Sequence, residues 1–353
     1  MSLQLTLFHH TTTADPQKKR AHRIHPSVPT TPPTTIPAEL LLLADKILLN
    51  SSGGKDSQAT ASHICRLAHD LGILDRVVIA HADLGDTVEW DGTRHLAEEQ
   101  ARLLGVRFET VRADGGDLLA RTIARFHTLK TKAEREAREQ GRDPTTVTVP
   151  PAWPSSSARW CTSDLKRGPI RKLMTRLVNE LGLGRPARIL NCLGQRAAES
   201  APRAKLATVE IDRPASNGRR HVTTWRPIHG WSDAAVWKEI ARSGLPYHEA
   251  YDWGMSRLSC TFCVLGCEAD VVLAARLRPQ KAAHYITVET KVGTDFKHGL
   301  SMRQIVERAN ALNAEHGPLR RPTRGTALSR YVGKNATTDY LNRVDHHRLS
   351  RAA

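Results

Sequence analysis

Short apolar runs alternate with segments of helical spacing over the first two thirds of the chain. Lys46–Ser51 (KILLNS) is an apolar run of the kind that forms a buried parallel strand. Ala59, His63, Leu67 and Leu71 follow at a spacing that predicts a helix over 56–71. Arg76–Ala82 and Val106–Val111 read as the second and third strands, with a helix over 88–104 between them that stops at Gly105. A helix over 117–127 leads into a polar, charged stretch at 130–146. A helix over 164–181 and a strand over 187–193 complete the alternation. From about Trp225 the pattern is helical, with candidates at 232–242, 270–277 and 301–312. Such alternation predicts an α/β fold: a mainly parallel, Rossmann-like sheet with helices on both faces, plus a helical C-terminal region. The expected organisation is a Thr/Pro-rich disordered arm at 1–37, an α/β domain at 38–230, a helical region at 231–317 and a basic tail at 318–353.

Composition narrows the class. A 353-residue chain with 40% hydrophobic residues can build a packed core, which excludes global disorder. No stretch approaches about 18 consecutive apolar residues, so a membrane span is not expected. The opening MSLQLTLFHH lacks a basic segment followed by an apolar one, so a cytoplasmic protein is expected. Six cysteines are too few for a disulfide scaffold and read as thiols or metal ligands. The formal net charge of +16 points to an anionic partner. Residues 1–37 carry +3 of it and residues 318–353 carry +6, so the body between them is only mildly basic.

Two segments carry candidate chemistry. Ser51-Ser52-Gly53-Gly54-Lys55-Asp56-Ser57 lies between the first strand and the first helix. Gly53 and Gly54 permit a tight turn with exposed amides, and the helix N-terminus points at the same spot, a combination that binds phosphate. Lys55 adds a point charge, Ser52 and Ser57 add hydroxyls, and Asp56 can cap the helix or approach a metal ion. The second segment is Cys260-Thr-Phe-Cys263-Val-Leu-Gly-Cys267, whose spacing lets thiolates converge on a metal centre. Cys161 is the best candidate for a fourth ligand, while Cys65 and Cys192 read as core residues. Four thiolates suit either zinc or a [4Fe–4S] cluster, and spacing does not separate them. Arg196 and Arg203 can grip anions in bidentate fashion with Glu199 between them, and Arg257 precedes Cys260 by three residues.

The glycine loop resembles the SGGxDS pyrophosphate loop of the PP-loop ATPases, the adenine nucleotide alpha-hydrolase-like group. His81-Ala82-Asp83-Leu84-Gly85 resembles that group's second nucleotide loop. Four further segments resemble motifs of the phosphoadenosine phosphosulfate (PAPS) reductase family. They are Arg159–Pro169, Gly194–Arg203 (G-x-R-x-x-E-S-x-x-R), Trp225–Asp233 (P-I-x-x-W-S) and Tyr251–Cys263 (Y-D-x-G-x-x-R-x-x-C-x-x-C). The resemblance implies ATP and Mg²⁺ as ligands, with Ser52, Gly53, Gly54, Lys55, Asp56, Ser57, Asp83 and Arg203 around the nucleotide. It places Lys55, Asp56, Arg196 and Glu199 in the catalytic machinery. Cys161, Cys260, Cys263 and Cys267 would hold a [4Fe–4S] cluster, with zinc as competitor. Reductases of that family attack with a cysteine in an E-C-G-x-H motif, and no cysteine follows Cys267. The arrangement looks more like the DndC-like branch, the ATP-cleaving iron–sulfur proteins of DNA phosphorothioation. That implies adenylation of a substrate oxygen followed by sulfur insertion. DNA or tRNA is then the expected acceptor and a cysteine desulfurase the expected sulfur donor. The alternatives are a sulfonucleotide reductase that borrows a partner's thiol and a nucleic-acid-binding protein that only senses nucleotide. His81, Asp83 and Glu199 are candidate bases.

Overall fold

A computed structural model describes residues 28–349 except 30 and 33, so most of the expected 1–37 arm lies outside the described residues. A short helix, α1 (Pro37–Leu43), leads into β1 (Lys46–Ser51), α2 (Lys55–Asp70), β2 (Val77–Asp83), α3 (Thr93–Leu103) and β3 (Arg107–Arg112). α4 (Leu118–Glu139) follows, and then α5 (Trp160–Thr162), which runs through a π turn at Ser163–Arg167 into α6 (Gly168–Leu181). Pro169 has no N–H and would crowd a regular preceding turn, and the widened turn accommodates its ring. β4 (Ala187–Leu193), α7 (Ala201–Ala204), β5 (Val209–Ile211) and β6 (Arg220–Trp225) complete the sheet.

The six strands lie in the order β3-β2-β1-β4-β6-β5. All neighbours pair in parallel except β5, which runs antiparallel to β6 at the edge. β1 is central, so both its faces are covered. Ile47 and Leu49 pack with Ile64 of α2, while Leu48 packs with Leu173 and Leu177 of α6. This alternation explains why the strand reads as a continuous apolar run. Helices on both faces of a mainly parallel sheet match the expectation.

A second core is helical. It joins α4 to α8 (Asp233–Ser243), α9 (Glu268–Leu277), α10 (Pro279–Val292), α11 (Met302–His316), α12 (Thr326–Val332) and α13 (Lys334–Leu349). Here the structure corrects several expectations. The polar stretch at 130–146 is helical as far as Glu139, held on its exposed face by Lys130–Glu134, Lys132–Glu136 and Arg135–Glu139 pairs. The predicted helix over 88–104 begins only at Thr93, because the preceding segment turns inward to bury Val88 and Trp90. β5, β6, α10, α12 and α13 have no counterpart among the expected elements. The stretch read as a basic tail is packed: Leu328, Tyr340 and Val344 are buried, and the Asp252 carboxylate accepts from the amides of Gly325 and Ala327 at 3.2 and 2.8 Å. Among the described residues no helix is long and apolar enough to cross a membrane.

Candidate active site

β1 connects to β2 on one side, and the chain later returns as β4 on the other, so a topological switch point lies between β1 and β4. Ligands of open α/β sheets bind at the carboxyl ends of the strands beside such a point. The glycine loop sits there. Gly53 has φ +69°, a left-handed conformation that an L side chain adopts only with strain. The loop closes on itself: Ser52 N donates to Ser57 Oγ at 3.2 Å, Gly53 N to Ser51 Oγ at 3.2 Å, and Ser57 Oγ to Gly54 O at 2.9 Å. Gly54 caps α2, and the amides of Asp56 and Ser57 lie in its first turn, where a helix supplies no acceptor of its own. Gly194, at the end of β4, is needed for a close approach. A Cβ there would stand 2.8 Å from Asp56 O and 3.0 Å from Ser57 N.

A buried charge network lies beneath the loop. Arg196 is 3% exposed; its Nε donates to Asp56 Oδ1 at 2.6 Å, its Nη2 to Asp233 Oδ1 at 2.8 Å and its Nη1 to Trp231 O at 3.1 Å. Burial works against the charged guanidinium, but Asp56 and Asp233 outweigh it and hold Arg196 more firmly protonated than usual. Lys55 is also buried. Its Nζ lies 3.3 Å from Asp56 and 3.5 Å from Asp233, and it donates to Ser256 O at 3.3 Å. Two cations and two carboxylates balance here, so Lys55 is tied into the network. Glu199 accepts from Arg196 N at 2.9 Å and pairs with Arg203. The candidate bases are likewise engaged. Asp83 accepts from Gly85 N at 2.8 Å. His81 has Nδ1 3.1 Å from Ser51 O and Nε2 3.1 Å from Glu89 Oε2.

Tertiary packing brings the cysteine segment onto the glycine loop. The Tyr251 hydroxyl accepts from Lys55 N at 2.8 Å and from Leu258 N at 3.2 Å, so one buried oxygen fastens both. Glu89 forms an isolated antiparallel bridge with Cys260, and Thr261 N donates to Val88 O at 2.8 Å. Cys161, Cys260 and Cys263 become electrostatic neighbours. Burial pushes the Cys161 and Cys260 thiols up, while Lys166 beside both pulls them down. Cys267 is exposed and caps α9, with Sγ accepting from Asp270 N at 3.4 Å. Among the described residues no three His, Cys, Asp or Glu side chains are grouped as a metal-ion site. The donor chemistry of Cys161, Cys260 and Cys263 is of the thiophilic kind, and two buried hydroxyls, Thr261 Oγ1 and Tyr285 Oη, have no hydrogen-bond partner. Cys65 and Cys192 are core residues as expected, and burial pushes the Cys65 thiol up to about 12. Asp233 and Tyr251 lie in motifs visible in the sequence, yet no local signal assigned them a role. Glu89 carried no motif at all.

The family model described as the phosphoadenosine phosphosulfate reductase domain matches residues 46–266, well over half of the chain. The chain belongs to that family. In this PAPS reductase domain the matched range opens on β1 and closes at Gly266. It takes in the glycine loop, the Arg196 network and Cys161, Cys260 and Cys263, and stops short of Cys267. An uncharacterised 37.8 kDa protein of Escherichia phage 186 is 28% identical over 150 residues, 42% of each chain. Adenosine 5′-phosphosulfate reductase of Neisseria meningitidis serogroup A is 33% identical over 70 residues, 20% of this chain and 27% of its own length. The matches therefore span less than half of these relatives. A crystal structure of PAPS reductase from Candida auris, a phosphate complex, covers 64% of this chain and 87% of its own at 17% identity and a TM-score of 0.37.

Proposed function

We propose that this PAPS reductase-family chain cleaves ATP between its α and β phosphates and adenylates a nucleic-acid oxygen, readying it for sulfur transfer as in DNA phosphorothioation. The supporting observation is the junction at Tyr251, where one hydroxyl fastens the nucleotide loop to the segment that carries Cys260. In this reading the amides of Asp56 and Ser57 at the N-terminus of α2 would hold the pyrophosphate portion, and Mg²⁺, when bound, would offset the charge of the phosphates. The acceptor oxygen attacks the α-phosphorus and pyrophosphate leaves. The terminal sulfur of a persulfide from a cysteine desulfurase then attacks the activated centre and displaces AMP, and an external thiol reduces the S–S bond so formed to release the sulfur-bearing product. Arg196 keeps Asp56 turned away from the incoming phosphates. Cys161, Cys260 and Cys263 would hold an iron–sulfur group that supplies the sulfur-activating chemistry, and zinc at the same thiols would supply only structure. Arg321 and Arg324, on the segment that leads into α12, suit a polyanionic acceptor.

A second reading, favoured by the relatives named as adenosine 5′-phosphosulfate reductases, is reduction of a sulfonucleotide by a partner's thiol. Pyrophosphate release from ATP by the anaerobically purified chain, with DNA or tRNA added, separates them. Acceptor-dependent release is expected, and its loss in Gly54→Val, where the side chain would meet Leu258 O and the Tyr251 hydroxyl at 3.2 Å. Sulfite release from adenosine phosphosulfate with thioredoxin, and none of pyrophosphate from ATP, would establish the second reading. ATP binding with neither product would leave a nucleotide sensor.

A further inference from the structure

Six of the seven tryptophans pack into an apolar core; Trp253 does not. It is half-buried, and it lines a cavity of about 250 Å³ together with Tyr247, Glu249, Arg321, Arg324 and Tyr340. One wall comes from the stretch that follows α8. The other comes from the segment leading into α12 and from α13, beyond the range matched to the family. Asp252 joins the two walls: Oδ1 accepts from the Tyr247 hydroxyl at 2.7 Å and from Ala327 N at 2.8 Å, and Oδ2 from Gly325 N at 3.2 Å. Its neighbour Tyr251 fastens the nucleotide loop, so cavity and loop hang on adjacent residues.

Charge is sorted within this cavity. Asp252 is 7% exposed and bars an anion from the floor. The Arg321 side chain is 83% exposed and that of Arg324 44%, so both stand at the mouth. Arg324 pairs with Asp345 at 2.7 Å, in the open, where such a pair is worth little. Glu249 lies 3.6 Å from Arg321 and 4.0 Å from Arg278, beyond hydrogen-bond distance, which leaves its lone pairs free to accept. A ring surface with no core to fill, a carboxylate acceptor and guanidinium groups at the mouth match a planar base with its phosphate. The base stacks on Trp253, an amino group donates to Glu249, and the phosphate meets the arginines. Residues 318–353 carry +6, and Arg320 and Arg330 are exposed outside the cavity lining. The positive charge therefore continues where a strand would continue and a free nucleotide would end.

We propose that this cavity binds one unpaired nucleotide of the nucleic-acid acceptor, stacked on Trp253, and so anchors the strand. This rests on the reading of the acceptor as nucleic acid. Only an unstacked base can enter, so the cavity selects single-stranded segments over duplex. Glu249 favours a base with an exocyclic amino group, such as cytosine, over thymine, which carries a carbonyl oxygen at the same position. Arg321 meets phosphate and does not discriminate among bases.

The test uses the full chain with short fluorescein-labelled deoxycytidine and deoxythymidine strands at physiological salt. Fluorescence anisotropy reads binding, and the melting temperature checks the fold. Wild type should bind the deoxycytidine strand more tightly than the deoxythymidine strand and than a duplex of the same length. Trp253→Ala should weaken single-strand binding by about tenfold or more at an unchanged melting temperature, and Trp253→Phe, which keeps a ring, should recover most of it. Glu249→Gln, whose amide can either accept or donate, should erase the preference for deoxycytidine. Arg321→Ala should weaken both strands alike. A folded Trp253→Ala that binds like wild type, or a Glu249→Gln that keeps the preference, would overturn the proposal. The acceptor reading would survive either result, because the strand would then bind elsewhere. Cytidine monophosphate displacing the strand at equal affinity would overturn it too, since the cavity would then serve a free nucleotide. A wild type that binds neither strand, while ATP still yields pyrophosphate, overturns the acceptor reading along with the proposal.

Discussion

Replacing Arg196 by methionine would remove a guanidinium that holds Asp56, Asp233 and the Trp231 carbonyl together while keeping most of the side-chain volume. Removing one partner of a buried pair costs about 3–5 kcal/mol, because the other charge is left without compensation. Asp233 is 50% exposed at its side chain, so water screens its share, whereas Asp56 is 18% exposed and loses a 2.6 Å bond. The expected loss therefore sits at the low end, about 3 kcal/mol. Lys55 already lies within 3.5 Å of both carboxylates and recovers part of the charge balance, but a single ammonium cannot reproduce the fork that spans them. With Asp56 freed to swing toward the phosphate position, nucleotide affinity should fall by about tenfold or more, or 1.4 kcal/mol. Urea unfolding at neutral pH measures the first quantity, and titration calorimetry with a non-hydrolysable ATP analogue the second. Arg196→Lys should fall between wild type and Arg196→Met in both. A cycle with Asp56→Asn should show a coupling of about 1–3 kcal/mol. If Arg196→Met lies within about 0.5 kcal/mol of wild type, the network is no stronger than a surface pair and the reasoning fails.

Gly194→Ala should destabilise by about 1–3 kcal/mol, because the added methyl meets the Asp56 and Ser57 backbone, which has no flexible end to yield. Gly230→Ala, where nothing lies within 4 Å, is the matched control and should leave the melting temperature unmoved; equal effects would refute the packing argument. His248 sets a pH dependence. Its Nδ1 accepts from Ala250 N at 3.1 Å and its Nε2 donates to Asp91 O at 3.1 Å, and burial lowers its pKa below the ordinary histidine value. As pH falls through about 6.5 the unfolded chain takes up a proton that the folded one excludes, so this contribution is complete above that pH and lost below it. His248→Gln should flatten the fall in stability between pH 7 and 5, read as a difference of unfolding curves, and an unchanged slope would count against the assignment.

Local pattern alone was enough to place β1, β2, β3 and β4 and to show that helices lie between them, though not where α3 begins or α4 ends. A strand buried on both faces must be apolar throughout, and a helix against a sheet must repeat its apolar residues each turn. The glycine loop was legible for the same reason: φ +69° at Gly53 and the start of α2 are local demands that only certain residues meet. Charge was misleading. The stretch 130–146 reads as a polar break but is helical as far as Glu139, and 318–353 reads as a basic tail although its apolar residues Leu328 and Tyr340 are buried in the helical core. β5 and β6 are an edge pair whose polar residues gave no clean period, and β6 pairs only because β4 offers it an edge. The candidate site divides the same way. Residue type marked Asp56, Arg196, Cys161, Cys260 and Cys263 as chemistry-bearing, since few other roles need those groups at that spacing. Only tertiary packing could decide that Lys55 is held by two carboxylates, that Cys267 caps a helix, and that Tyr251 brings its hydroxyl to both loops. Those relations join residues as many as 196 positions apart, and a hydrogen bond across such a distance leaves no periodicity in the chain.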